Sequence, residues 1–117
     1  MFIFTMINLG RLELKNPYLF APMSKFSDIS FRLICEEYGA SYSFTEQILA
    51  SEFIKKTDDL KRRIDIHSPC GIQFLSNNSD ELKQAIAIIK NKEFYDGLEN
   101  VRSIDLNLAC PMKKQEI

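Results

Sequence analysis

Four short apolar runs, separated by stretches of crossover length, constrain the fold of this 117-residue chain more than any other feature. Tyr18-Leu19-Phe20-Ala21, Ser41-Tyr42-Ser43-Phe44-Thr45, Cys70-Gly71-Ile72-Gln73-Phe74-Leu75 and residues 103–109 read as strands. A helix follows the first, with Ile29, Leu33, Ile34 and Tyr38 as its apolar positions, Ser27 or Asp28 as cap and Gly39 as stop. Residues 48–53 read as helical in the second connection. The third is a helix from Asp80 to about Asn91, capped by Asn78 or Ser79, with Leu82, Ala85, Ile86 and Ile89 forming one face. Such alternation calls for parallel strands covered by helices. Ahead of it, Ile7 to Asn16 alternates around Gly10 and predicts a small N-terminal β-hairpin.

The expected fold class is therefore α/β. No G-x-G-x-x-G follows the first strand, which removes the support for a Rossmann dinucleotide site and leaves a barrel as the better architecture. A full barrel needs about 250 residues, so the reading is a partial TIM barrel made of its first four β/α units plus the hairpin. Residues 1–117 form one domain in this reading, with no linker or low-complexity segment inside it.

The last strand has the most to say about chemistry. Ile104, Leu106 and Leu108 alternate with Asp105 and Asn107, which predicts a strand buried on its apolar face and stopped near Cys110 by Pro111. In parallel α/β folds the C-terminal strand tips carry the chemistry. Those tips would gather Ala21-Pro22-Met23-Ser24, Thr45-Glu46-Gln47, Gln73-Phe74-Leu75 and Asn107 to Cys110 into a polar rim. Such a rim suits a flat heteroaromatic ligand, with amides on the ring edge and Met23 or Phe74 on a face. A core cysteine and a reactive one both remain open for Cys110.

Three dispersed cysteines without a C-x-x-C pair argue for reduced thiols, against a zinc site and for a cytoplasmic protein. No metal is implied by the rim. The apolar start, Met1 to Thr5, is too short to span a membrane, and Met6 is an alternative start. A net charge of -1 gives no sign of nucleic-acid binding. The charge run from Lys55 to Arg63 reads as solvated surface, as does His67. For the Lys113-Lys114 pair, contact with a phosphate backbone and plain solvation both stay open; Cys35 and Cys70 read as core.

Motifs along the chain resemble those of the tRNA-dihydrouridine synthases. They are Leu12-Glu13-Leu14-Lys15-Asn16-Pro17, Ala21-Pro22-Met23-Ser24, Asp28-x-x-Phe31-Arg32, Tyr38-Gly39-Ala40, Thr45-Glu46, Gly71-Ile72-Gln73 and Asp105 to Lys114. They run in that family's order over about residues 7–114. The resemblance implies FMN-dependent reduction of uridine to 5,6-dihydrouridine in tRNA, with NADPH or NADH as electron donor. It implies that Cys110 is the catalytic proton donor, that Pro22, Met23, Ser24 and Gln73 bind the flavin, and that Asn107 holds the substrate base. A thiol with an ordinary pKa of about 8.5 is mostly protonated at neutral pH, as an acid must be.

Two departures from that family stand out. Ala109 replaces the usual glycine, and the chain ends at Ile117, before the family's later lysine, histidine and phosphate-binding loops. A half-barrel would expose two sheet edges, so the expectation is a chain that is incomplete alone: a fragment, a split or truncated product, or a subunit that pairs with a second chain supplying the missing half. Flavin-dependent pyrimidine dehydrogenases resemble the Asn-Leu-x-Cys-Pro segment too, and a non-catalytic fragment or assembly partner is the alternative of a different kind.

Overall fold

The computed structural model describes residues 6–109. Within it, four strands pair in parallel in the order β3-β4-β5-β6: Leu19–Phe20, Tyr42–Leu49, Cys70–Leu75 and Val101–Leu106. Ahead of them, β1 (Ile7–Leu9) and β2 (Leu12–Leu14) form an antiparallel pair turned at Gly10, which takes a φ of +62° that suits a residue without Cβ. The helices are α1 (Ile29–Glu37), α2 (Ala50–Phe53), α3 (Asp58–Arg63) and α4 (Ser79–Asn91), with one 3-10 turn at Leu98–Asn100. None of the described helices is long and apolar enough to cross a membrane.

Polar side chains set the helix starts. Asp28 accepts from the Phe31 N–H at 2.8 Å to open α1, and Asn78 accepts from the Asp80 N–H at 2.9 Å to open α4. Thr57 does the same for α3 through the Leu60 N–H at 3.2 Å. The charge run is thus partly a helix, pinned to the core by Leu60, which is buried, while Arg62 and Arg63 stay outside.

The two faces of β5 divide the molecule. Cys70, Ile72 and Phe74 point to the helices and are fully buried with Phe53, Leu60, Ile66, Ala85 and Ile88. Phe53 stacks on Tyr95 (centroids 4.4 Å apart) and meets Phe74 edge-on at 5.0 Å. The Tyr95 hydroxyl donates to the Phe53 carbonyl at 2.7 Å, which satisfies the one polar atom in that stack. On the opposite face Gly71 lies beneath Phe44 and Ser103; a Cβ there would fall on the Phe44 ring. Burial pushes the Cys70 thiol pKa up against the opposing pull of the Arg32 guanidinium, so this cysteine stays a neutral core residue.

Four expectations from the sequence need correction. Strand β4 runs on to Leu49, so Ile48 is a strand residue packed in the core and the helix shrinks to Ala50–Phe53. In α4 it is Ile88 that is buried and Ile86 that is 43% exposed, because the helix presents Leu82, Ala85, Ile88 and Ile89 to the sheet. The apolar positions of α1 are largely outside: Leu33 is 47% and Ile34 49% exposed, and the buried residue is Arg32, which donates to the Asp65 carbonyl.

The fourth concerns β6, which spans residues 101–106 rather than 103–109 and is buried on the face opposite to that expected. Ile104 and Leu106 are each 41% exposed and Leu108 85%, whereas Ser103, Asp105 and Asn107 are half-buried. The reason is positional: among the described residues β6 lies at the sheet edge, and the helix that follows β5 covers β5. Past its end, Asn107 Oδ1 accepts the Ala109 N–H at 3.0 Å, a local side-chain bond in place of a further ladder bond.

Candidate functional site

Parallel pairing brings the C-terminal ends of β3 to β6 to one side of the sheet. The ladder register aligns Gln47, Gln73 and Asp105 across β4, β5 and β6. Adjacent residues in a strand point to opposite faces, so Asn107 follows Asp105 onto the polar face. Bonding confirms this. Gln73 Nε2 donates to Asp105 Oδ2 at 2.6 Å, and Asn107 Nδ2 donates to Gln47 Oε1 at 2.5 Å and to Gln73 Oε1 at 3.3 Å. The Asn107 backbone N–H donates to the Phe74 carbonyl at 2.9 Å and so extends the ladder one step past the strand. Three amides and a carboxylate therefore form one row across the strand tips.

A bulge in β4 between Phe44 and Gln47 makes that alignment. Thr45, in the bulge, accepts the Gln73 N–H through Oγ1 at 3.3 Å, so the strand's irregularity is stitched to the strand that carries Gln73. Glu46 points the other way and accepts the backbone N–H of Lys25 at 2.9 Å. That bond ties the loop after β3 to the tip of β4.

The loop itself is folded on its own groups. Ser27, only 2% exposed, accepts the Met23 N–H at 2.5 Å, and the Met23 carbonyl accepts the N–H groups of Phe26 (3.0 Å) and Ser27 (2.9 Å). The Met23 side chain is 40% exposed and Ser24 is exposed. Beside the loop a cavity of about 330 Å³ opens between α1 and α3, with Lys25, Glu46 and Gln47 in its wall but neither Gln73 nor Asn107.

At the level of whole motifs, a family model described as dihydrouridine synthase (Dus) matches residues 19–116. The chain belongs to the dihydrouridine synthase family. This family member is 33% identical over 111 residues to tRNA-dihydrouridine synthase B of Pasteurella multocida, a match covering 92% of this chain and 31% of that protein. It is 31% identical over 109 residues to tRNA-dihydrouridine synthase B of Vibrio parahaemolyticus, covering 92% and 32% respectively. A probable tRNA-dihydrouridine synthase of Treponema pallidum is 29% identical over 111 residues, again across 92% of this chain and 31% of the relative. The chain thus spans about a third of the length of the curated relatives it matches. No solved structure matches it.

Of the residues singled out from the sequence, the structure brings Gln73 and Asn107 into direct contact. Pro22, Met23 and Ser24 lie at the same end of the sheet, on the loop after β3. Cys110 lies outside the described residues. Phe74 cannot flank a ligand, because it is wholly buried on the helix side; of the two candidate ring-packing side chains only Met23 is accessible. His67 is exposed and lies 3.0 Å from Asp65. Among the described residues no cluster of three or more His, Cys, Asp or Glu side chains has the geometry of a metal site.

Asp105 had no assigned role from the sequence. The signal was present in the alternation, since a residue two before Asn107 shares its face.

Proposed function

We propose that residues 1–117 are the N-terminal half of a dihydrouridine-synthase TIM barrel, its first four β/α units led by a hairpin, which carries the flavin-ring and substrate-base side of the active site. The reaction is FMN-dependent reduction of uridine to 5,6-dihydrouridine in tRNA. The observation that carries this reading is the direct contact of Gln73 with Asn107 at the strand tips, in a chain of this family.

The residues fit the ring portion of a flavin. Gln73, 8% exposed, offers amide donors and an acceptor at the edge of the mouth, and Met23 offers an accessible apolar side chain beside Pro22 and Ser24. Bound FMN would supply the hydride equivalent for C6 of the uracil, with NADPH or NADH as the source of electrons. The chain's own work is to hold and to protonate. Gln73 and the Pro22-Met23-Ser24 loop orient the ring. Asn107 holds the base, which requires its Nδ2 group to trade one of its two carbonyl partners for the substrate. Cys110 gives its thiol proton to C5, so that hydride and proton together saturate the 5,6 double bond. The base must leave its stack to reach the mouth.

In this reading the activity needs a second half-barrel, supplied by further sequence or by a second chain. Support comes from the apolar outer face of β6, where Ile104 and Leu106 are each 41% exposed, and from the exposed Leu33 and Ile34 of α1. A tRNA substrate and reduced cysteines go with a cytoplasmic setting.

Titration of the purified chain with FMN and with lumiflavin, which lacks the ribityl phosphate, tests the proposal. Ring-only contacts predict equal affinities within about threefold, weaker than about 1 µM, or -8 kcal/mol, and lost on Gln73→Ala. Tighter FMN binding would show the chain to be complete as a flavin site. Binding indifferent to Gln73, or no binding of either compound, would remove the flavin reading.

A further inference from the structure

Asp105 touches neither the loop after β3 nor, in the reading above, the flavin or the base. We propose that it is a positioning residue: its carboxylate fixes which end of the Gln73 amide faces the ligand. An ionised carboxylate only accepts hydrogen bonds, so the group 2.6 Å from Asp105 Oδ2 must be the Gln73 NH₂ and not its carbonyl. Gln73 Oε1 is then turned toward Asn107. A glutamine amide has no intrinsic preference between its two orientations, and a ring edge that needs a donor at one place and an acceptor at the next requires one of them.

The neighbouring amide is held by a different device. Asn107 Oδ1 accepts the backbone N–H of Ala109, which only donates, and this directs Nδ2 toward Gln47 and Gln73. The row is therefore locked from both ends, by an acceptor-only carboxylate and a donor-only backbone amide. The two locks meet at the Asn107–Gln73 contact, the longest bond of the row at 3.3 Å. With Asp105 removed, that long bond is what holds the Gln73 head group within the row among the described residues, while Asn107 and Gln47 keep their 2.5 Å bond.

The consequence for ligand binding rests on the proposed flavin site, but the positioning itself does not, and one experiment separates them. The side-chain NH₂ signals of Gln47, Gln73 and Asn107 are followed by NMR in the ¹⁵N-labelled chain, with and without lumiflavin. Asp105→Ala should shift and broaden the Gln73 pair, leave the other two pairs in place and weaken lumiflavin about tenfold. Asp105→Asn, which can donate as well as accept, no longer selects one orientation of the Gln73 amide and should recover the lost affinity only in part. In urea unfolding of the free chain, Asp105→Ala combined with Gln73→Ala should be no less stable than Gln73→Ala alone, a non-additivity that a carboxylate acting independently of Gln73 would not give. If Asp105→Ala fails to fold, the upfield move of the Gln73 pair in Asp105→Asn carries the test. An unmoved Gln73 pair, or losses that simply add, would overturn the proposal. A Gln73 pair that responds as described in a chain that binds no lumiflavin supports the positioning and removes the flavin reading alone.

Discussion

Glu46, from the bulge of β4, accepts the backbone N–H of Lys25 at 2.9 Å, and Lys25 sits at a φ of +68°. A lysine in the left-handed region costs about 1–2 kcal/mol relative to its usual conformation. Glu46→Ala should therefore loosen the 22–26 loop and lower stability by about 1–2 kcal/mol, whereas Glu46→Gln keeps an acceptor and should lose less than half of that. Lys25→Gly should raise stability by up to about 1 kcal/mol and shrink the effect of Glu46→Ala. Urea unfolding of the wild type, these three variants and the Lys25→Gly/Glu46→Ala double measures each term; equal losses with Lys25 and with Gly at 25 would break the link.

Gly71→Ala tests how closely the strands approach behind the mouth. The added methyl would meet the Phe44 ring and stand 2.7 Å from Ser103 Oγ. Overpacking of this kind costs about 1–3 kcal/mol, and here it also pushes β4 and β6 away from β5. The expected result is a lower urea midpoint together with shifted amide signals at Gln47 and Asn107.

Phe53 joins α2 to β5 and to the segment before β6 through its contacts with Phe74 and Tyr95. Phe53→Ala should cost about 3–5 kcal/mol, a large share of the whole stability of a domain this size. It also leaves Tyr95 without its stacking partner. Phe53→Leu should lose roughly half as much, read by the same denaturant curves.

Tyr42 gives the pH prediction. Burial raises its phenol pKa to about 12, with the hydrogen bond to Ser103 Oγ at 2.9 Å opposing that shift. The ordinary tyrosine value is about 10, so the folded state holds this proton more tightly than the unfolded one. The stability this confers is fully present below about pH 10 and is lost as pH rises through about 12. Absorbance at 295 nm should show a late-titrating tyrosine that disappears in Tyr42→Phe, and the wild-type urea midpoint should fall between those pH values.

The sequence carried the sequence of elements well and their faces less well. Strand β5 was readable because six consecutive residues, Cys70–Leu75, are buried, as an interior parallel strand must be. Its pairing partner β4 was cut short, since nothing local distinguishes Ile48-Leu49 as strand from the start of a helix; the bulge that carries the strand onward is a tertiary event. For β6 the alternation was correct and its polarity was not. Hydropathy says that Ile104 and Leu106 share a face, but what covers that face lies beyond the chain's local pattern. The same holds for Asp105: a carboxylate on the half-buried side of a strand has no rationale until Gln73 is placed opposite it. Met23 and Phe74 illustrate the point in reverse, as two apolar residues at strand tips of which only the first is reachable.

Among the described residues β6 has a sheet neighbour on one side only, and that pairing is parallel. Such a rim is a directional template. Any further strand that returns to it by a right-handed crossover lies alongside β6 pointing the same way, and so delivers its own carboxyl end beside Asn107. New chemistry can thus be appended one strand at a time without disturbing the amides already in place.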